Sequence, residues 1–233
     1  MKSVSKRGYT LTFDPLKHEY TVQTGDEPPR RVPSVTQVLN AVLAKPGLVE
    51  WAVRTALERV AQGILNGEPP ETALEAARTA HRQAADKAAT EGTNFHTAVE
   101  TLLKGRNPPD HPALRAFQTF LQEHGLTPVL SEHLVYHPTL DYAGTVDLLA
   151  LQKGTPVLLD LKVTRGIHPH HHLQLGGYSL ALQTWEGLTP KKAYILHISH
   201  QTLTPHPVNL QQAEHAFTAA LHLYQALREI RGE

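Results

Sequence analysis

Two acidic residues and a lysine stand in neighbouring apolar runs of the sequence. Asp147 lies in one β-type run and Asp160-Leu-Lys162 in the next, on either side of a turn signal at Lys153-Gly154. If the runs pair as antiparallel strands about that turn, Asp147 lies opposite Asp160. Lys162 then projects from the same strand face as Asp160, because alternate residues share a face.

Two neighbouring carboxylates repel each other, so a nearby positive charge should offset the repulsion. Facing residues have β-carbons ~4.5–5.5 Å apart, and two unit charges at that separation repel by ~3 kcal/mol at an effective dielectric constant of ~20. Bound Mg²⁺ or Mn²⁺ would remove this repulsion, since both ions prefer hard oxygen ligands. In the alternative interpretation Asp160 and Lys162 simply neutralise each other while Asp147 is solvated. The position of the acids among valines and leucines favours a metal site, because an unpaired buried carboxylate is costly.

Further polar residues occur at helical or strand spacing. His96 and Glu100 fall one turn apart on a predicted helix, and so do Gln174 and Tyr178. An imidazole ligand suits manganese better than magnesium, although a single helical histidine is more often structural. An amide and a phenol could contact a phosphate or a base. Glu132 begins the strand before Asp147, where acids are often merely solvated.

Hydrophobic periodicity predicts an α/β protein. The predicted strands are 9–14, 18–22, 128–130, 133–136, 146–151, 157–163 and 193–198, of which the first two form an edge hairpin. The predicted helices are one that Ser34 caps, a helical stretch over 48–104 interrupted at 66–70, and 112–123, 171–185 and 210–231. We expect a single domain over 1–233, with a hairpin and lead-in segment (1–46), a helical region (47–125), and a sheet with flanking helices (126–233).

Composition excludes several classes of protein. The 233 residues include no cysteine, which rules out disulfides, thiolate zinc sites, cysteine nucleophiles and cysteine-ligated iron–sulfur clusters. The formal net charge is +0, so a nucleic-acid footprint would have to be local. No apolar run reaches the ~18 residues that span a bilayer, and the N-terminus lacks a signal-peptide core. We therefore expect a cytoplasmic protein without membrane contact.

A histidine-rich segment suggests a second kind of metal site. His168, His170, His171 and His172 surround Pro169. Their spacing does not match a closed tetrahedral site, so a solvent-facing linker is the expected structure.

Taken in order, the motifs resemble a known family. The segments are Gly92-x-x-x-His96-x-x-x-Glu100, Glu132, Gly144-Thr-Val-Asp147, Asp160-Leu-Lys162 and Gln174-x-x-x-Tyr178. This order resembles the RecB-like and phage-type exonucleases of the PD-(D/E)XK superfamily. Residues 32–39 and Trp51 are also similar to the branch that includes mitochondrial genome maintenance exonuclease.

The resemblance implies a restriction-endonuclease-like core, a mixed sheet flanked by helices, with a Mg²⁺ or Mn²⁺ site. The implied metal ligands are His96, Asp147, Asp160 and the Leu161 carbonyl. Lys162 would position the attacking water or stabilise the transition state, and Glu132 would orient the metal or its waters. The implied substrate-binding residues are Gln174, Tyr178, Thr164 and Arg165, with Glu100 behind the ligands; Arg54, Lys191 and Lys192 are further candidates for steering the backbone.

The expected function is hydrolysis of DNA phosphodiester bonds by an exonuclease that prefers single-stranded ends, in repair, recombination or phage-type processing. The helical stretch before Gly105 could form an arch or lid over such an end. Two alternatives stay open: an RNA or structure-specific endonuclease on the same core, and a non-catalytic nucleic-acid-binding module. The chain has no helicase segment, so translocation would require a partner.

Overall fold

The computed structural model describes residues 1–44, 46–199 and 202–232. Met1–Leu43 and Phe95–Glu233 form one compact unit, and Ala44–Asn94 form another. The expected α/β architecture, a mixed sheet flanked by helices, is confirmed. Among the described residues, no helix is both long and apolar enough to cross a membrane.

The N-terminal residues form an antiparallel sheet of their own. In the described part of the chain its strands are β1 (Lys2–Lys6), β2 (Tyr9–Asp14), β3 (Glu19–Thr24) and β4 (Arg30–Val32), hydrogen-bonded in that order. The predicted hairpin exists as β2 and β3, but its predicted edge position is wrong, because β1 and β4 flank it on both sides. The sequence pattern missed β1, in which Val4 is the single apolar side chain.

Helix α1 (Val35–Val42) begins with a capping box, as the Ser34 signal predicted. Ser34 Oγ accepts a hydrogen bond from the Gln37 backbone at 3.0 Å, and Gln37 Oε1 accepts one from the Ser34 backbone at 2.9 Å. The preceding Pro33 carbonyl accepts a hydrogen bond from the Ala143 backbone at 2.9 Å. This bond ties the start of α1 to the central sheet.

Two long helices follow, α2 (Pro46–Leu65) and α3 (Pro70–Leu103). The predicted break at 66–70 is confirmed, and Gly67 there has a left-handed backbone, φ 77°. Within the helical unit, Ala73 and Ala77 are buried. The last turns of α3, from Phe95 onward, belong to the first unit.

The central sheet follows α4 (Leu114–Glu123). Within the described residues its strands are β5 (Leu126–His137), β6 (Tyr142–Gln152), β7 (Thr155–Val163), β8 (Lys192–Ser199) and β9 (Thr202–Pro207), in that order, with β7 and β8 parallel and the other neighbours antiparallel. The runs predicted at 128–130 and 133–136 are one strand, bulged between Pro128 and Leu130. The sequence did not predict strand β9, because its prolines argue against a strand. Prolines are tolerated in β9 because it lies at the edge of the sheet.

Helices cover both faces of this sheet. On one face, α1, α5 (Pro169–Trp185) and α6 (Leu210–Arg231) enclose a core that includes Leu158 and Trp185. On the other face, α4 and the end of α3 pack over Leu159 and Leu161. Helix α5 connects the parallel strands β7 and β8. The sequence-predicted helix at 210–231 has the predicted bounds.

The histidine-rich segment is not the solvent-facing linker that the sequence suggested. Residues 169–172 form the first turn of α5, and His171 is buried. The His168 backbone N–H donates a hydrogen bond to His171 Nδ1 at 3.1 Å. No group of three metal-ligating side chains occurs at this segment among the described residues.

Candidate metal centre and active site

Strands β6 and β7 pair in the predicted register. Leu148 lies opposite Leu159, and the pairing continues symmetrically to the turn at Lys153 and Gly154. One step further along this register come Asp147 and Asp160. Asp147 Oδ2 accepts a hydrogen bond from the Leu161 backbone N–H at 2.8 Å, which fixes the carboxylate beside β7.

A third carboxylate lies on the other side of β6. Glu132 stands between the β5 residues that pair with Leu148 and Val146, at the level of Asp147. Its backbone is left-handed, φ 48°, although it carries a side chain. Such a conformation costs ~1–3 kcal/mol and persists where the surroundings impose it.

His96, on α3, joins these acids. Its Nδ1 lies 2.9 Å from Glu132 Oε1, and its Nε2 lies 3.1 Å from the Leu161 carbonyl oxygen and 3.8 Å from Asp147 Oδ2. Burial lowers the pKa of His96, but Asp147 and the hydrogen bond to Glu132 outweigh burial and raise it to about 9. Both ring nitrogens face acceptors, as an imidazolium requires.

Asp160 and Lys162 form a buried pair beside this group. Lys162 Nζ donates to Asp160 Oδ1 at 2.7 Å and lies 2.6 Å from Oδ2. Burial and the neighbouring Asp147 raise the pKa of Asp160, against the influence of Lys162. Burial would lower the pKa of Lys162, but the charges of Asp160 and Asp147 outweigh burial and raise it. The lysine therefore stays charged in a buried position.

These residues fit a divalent cation. Ligand atoms of His96, Glu132 and Asp147 lie within 4.8 Å of one another, the separation expected around one ion. The Leu161 carbonyl faces the same imidazole. Asp160 is 1% exposed, and Lys162 Nζ is the charged group that lies against its carboxylate within the described ranges. Imidazole nitrogen with several hard oxygens is a donor set for Mn²⁺ or Mg²⁺.

Helix α5 places Gln174 and Tyr178 beside the same strands. Gln174 Nε2 donates to the Tyr178 hydroxyl at 2.8 Å, because residues four apart share one face of a helix. Burial and the charges of Asp147 and Asp160 raise the pKa of Tyr178.

Sequence reasoning missed two residues of the N-terminal sheet that lie near the centre. The Tyr20 hydroxyl is 2.7 Å from Thr145 Oγ1, and burial raises the pKa of Tyr20 to about 12, with Glu132 and Asp147 adding to the shift. Lys2 Nζ lies 3.8 Å from Glu132 Oε2. Neither residue belongs to a local motif that could have revealed it.

The other predicted residues lie at varied places. Glu100 pairs with Lys104 at 2.6 Å. Thr164 is engaged with its own turn through the Gly166 carbonyl at 2.9 Å, and Arg165 is exposed in the loop after β7.

Lys191 and Lys192 stay candidates for steering the backbone, and the structure places Lys192 at the first residue of β8. Lys192 pairs with Val157 at the start of the parallel ladder, whereas Lys162 pairs with His197 near its end. That separation is ~17 Å along the strand at ~3.3 Å per residue. Arg54 lies in the separate helical unit.

A comparison with protein families agrees with this geometry. A family model of the PD-(D/E)XK nuclease superfamily matches residues 52–233. No curated protein matches. Among solved structures, "Crystal structure of SSO0001" is 14% identical with a TM-score of 0.38, covering 84% of this chain and 75% of that one. LHK-Exo in complex with dAMP is 15% identical with a TM-score of 0.30, covering 60% of this chain and 85% of that one.

Neither superposition is close enough to add to the assignment. The family model extends over most of the chain. It includes His96, Lys162 and the strands β5, β6 and β7, which carry Glu132, Asp147 and Asp160. Nucleases of this superfamily use divalent metals, and the His96, Glu132 and Asp147 cluster is of the kind that holds one. The chain belongs to the PD-(D/E)XK nuclease superfamily.

Proposed function

We propose that the protein is a Mg²⁺- or Mn²⁺-dependent deoxyribonuclease of the RecB-like and phage-type branch, with the further likeness to mitochondrial genome maintenance exonuclease. It acts as an exonuclease on single-stranded DNA ends in the cytoplasm. The observation that carries the proposal is the cluster of His96, Glu132 and Asp147, whose ligand atoms lie within 4.8 Å of one another. The buried ion pair of Lys162 with Asp160 lies on the neighbouring strand β7.

Each residue of the centre has a distinct role. His96 Nε2, Asp147, Asp160 and the Leu161 carbonyl would hold the cation, which when bound polarises the phosphate and acidifies a water. Lys162 holds the attacking water or offsets negative charge that develops on the phosphate. Glu132 fixes the ring of His96 through Nδ1, leaving Nε2 for the metal.

Four residues around the metal centre contact the substrate. Gln174 and Tyr178 reach a phosphate or base from α5, and Thr164 and Arg165 contact the strand from the loop after β7. The preference for a free single-stranded end rests on the helical unit, which precedes His96 in the chain. The proposal takes 1–233 as one nuclease domain with this unit inserted, and assigns translocation to a separate partner.

Digestion of end-labelled DNA tests the proposal. Linear single strands, linear duplex and circular single strands are incubated with Mg²⁺, Mn²⁺ or EDTA. We expect metal-dependent shortening of linear single strands, slower attack on duplex and no attack on circles. Cleavage of circles would overturn the exonuclease assignment, and cleavage of RNA alone would overturn the assignment to DNA.

Matched lysine variants identify the site. Lys162→Gln removes the buried ammonium, and we expect a loss of at least ~100-fold in rate, as for a positioned charge in the transition state. Lys153→Gln removes the same charge from the β6–β7 turn, ~20 Å along the strand from Asp147, and should cut as the wild type does. Circular dichroism and a melting curve show whether each variant is folded.

A further inference from the structure

Strand β1 brings a lysine to the rim of the metal centre. Lys2 lies opposite Phe13 at one end of the N-terminal sheet. Its Nζ is 3.8 Å from Glu132 Oε2 and 3.9 Å from Glu100 Oε1. Two strands separated by more than a hundred residues of sequence, β1 and β5, therefore place a cation next to the carboxylate that holds His96.

The two carboxylates hold Lys2 only loosely. A charge-assisted N–H···O bond is ~2.7–2.9 Å long, so distances of 3.8 and 3.9 Å are ion-pair contacts and not hydrogen bonds. Both acids have closer partners. Glu100 lies 2.6 Å from Lys104 Nζ, and Glu132 lies 2.9 Å from His96 Nδ1. Lys2 can leave them at little cost.

Two other lysines of this unit already have close carboxylate partners. Lys162 is 16% exposed and bonded to Asp160, and Lys6 is bonded to Glu186. The side chain of Lys2 is 46% exposed, so part of its ammonium already faces solvent. A strand of nucleic acid that approaches Glu132, Asp147 and Asp160 meets like charges. A mobile cation at the rim offsets this repulsion where the backbone enters.

We propose that Lys2 is a DNA-binding residue. Its ammonium leaves Glu100 and Glu132 and binds a phosphate of the DNA strand, next to the phosphate that is cleaved. The inference rests on the proposed nuclease function and extends it by assigning the N-terminal sheet a part in substrate binding. Because the contact is to the backbone, Lys2 contributes equally to all sequences. It binds substrate without taking part in bond cleavage.

Equilibrium binding separates this role from catalysis. Fluorescent single-stranded DNA is titrated with the wild type, Lys2→Gln, Lys2→Arg and Lys153→Gln, with Ca²⁺ in place of Mg²⁺ and over a range of salt concentrations. The chains carry a C-terminal tag, because an N-terminal one would adjoin Lys2. We expect Lys2→Gln to weaken binding about threefold to tenfold and to reduce the salt slope by about one, as for one lost phosphate contact.

The remaining variants sharpen the result. Lys2→Arg keeps the charge and should bind within about twofold of the wild type, as should Lys153→Gln. In turnover assays Lys2→Gln should raise KM and leave kcat unchanged. Its metal-induced rise in melting temperature should also be unchanged, which a role in supporting Glu132 would not allow.

The outcomes distinguish the two proposals. If the wild type cleaves DNA while Lys2→Gln has the wild-type affinity and salt slope, the assignment of Lys2 is overturned and the nuclease function stands. If Lys2→Gln loses its metal response, Lys2 is a structural counterion of Glu132, which also overturns the assignment. If the wild type neither binds nor cleaves DNA, both proposals fail.

Discussion

The aromatic ring of Tyr178 lies directly against Gly144. A β-carbon added at Gly144 would come within 2.6 Å of Tyr178 Cε1 and within 3.5 Å of Val35 Cγ2. Tyr178 in turn receives the hydrogen bond of Gln174. The glycine that precedes Asp147 by three residues therefore determines how closely α5 approaches β6.

Replacing this glycine tests the contact. Gly144→Ala should lower the free energy of unfolding by about 1–3 kcal/mol, because overpacking forces the ring or the helix to move. Gly166→Ala is the control, since an added β-carbon there has no atom within 4 Å. Urea unfolding measures both variants. Equal stability of Gly144→Ala and the wild type would mean that the ring is free to shift.

A buried histidine at the start of α5 should make stability depend on pH. Burial and the neighbouring His170 lower the pKa of His171 to about 3, while the unfolded value is ~6.5. Between these values the unfolded chain binds more protons, so stability falls as pH falls. Protonation would also remove the acceptor that Nδ1 offers to the His168 backbone.

The histidine prediction is measured by urea unfolding at several pH values. From pH ~6.5 to ~5 we expect His171 to account for about 1–2 kcal/mol of the loss in stability. His171→Gln keeps a hydrogen-bond acceptor without titrating, and should show a correspondingly flatter dependence. His222→Gln, on the exposed side of α6, controls for the loss of an imidazole. A slope in His171→Gln equal to that of the wild type would contradict the prediction.

Local sequence signals were sufficient to predict the alignment of Asp147 with Asp160. The β6–β7 turn residues Lys153 and Gly154 both have left-handed backbones, φ 50° and 82°, as a two-residue hairpin turn requires. Once the turn is located, strand periodicity determines which residues face one another. The capping box at Ser34 is predictable for the same reason, because its partners lie three residues apart.

Contacts between distant segments had no such signal. Lys2 and Tyr20 reach the centre through a separate sheet, and their partners Glu132 and Thr145 lie more than a hundred positions away. The burial of His171 depends on the packing of α5, and the polar residues around it in the sequence do not indicate that packing. The position of Lys192 had no local signal either, because it depends on the parallel pairing of β7 with β8, which puts Lys192 opposite Val157 and Lys162 opposite His197.

Removing the carboxylate of Asp147 should abolish the stabilisation that a bound metal ion gives the protein. A ligand present at 100 times its Kd stabilises the folded protein by ~2.7 kcal/mol, so Mg²⁺ or Mn²⁺ should raise the melting temperature of the wild type. Asp147→Asn should lose this rise, and without metal it should be less stable than the wild type, because the attraction of Asp147 to protonated His96 and to Lys162 is lost together with its repulsion from Asp160. Asp26→Asn, in an exposed turn, is the control. Differential scanning fluorimetry in EDTA and in each metal makes the comparison, and a full metal response in Asp147→Asn would refute the role of Asp147 as a ligand.

The left-handed backbone of Glu132 supplies the last prediction. Glu132→Gly and Glu132→Ala both remove the carboxylate that holds His96 Nδ1, but glycine adopts φ 48° without strain and alanine does not. Glu132→Gly should therefore be more stable than Glu132→Ala by about 1 kcal/mol, while both should lose metal affinity to the same extent. Urea unfolding gives the first quantity and metal titration the second. Equal stabilities would show that the strand relaxes once the carboxylate is gone, so that the contact of Glu132 with His96 is what imposes the backbone conformation.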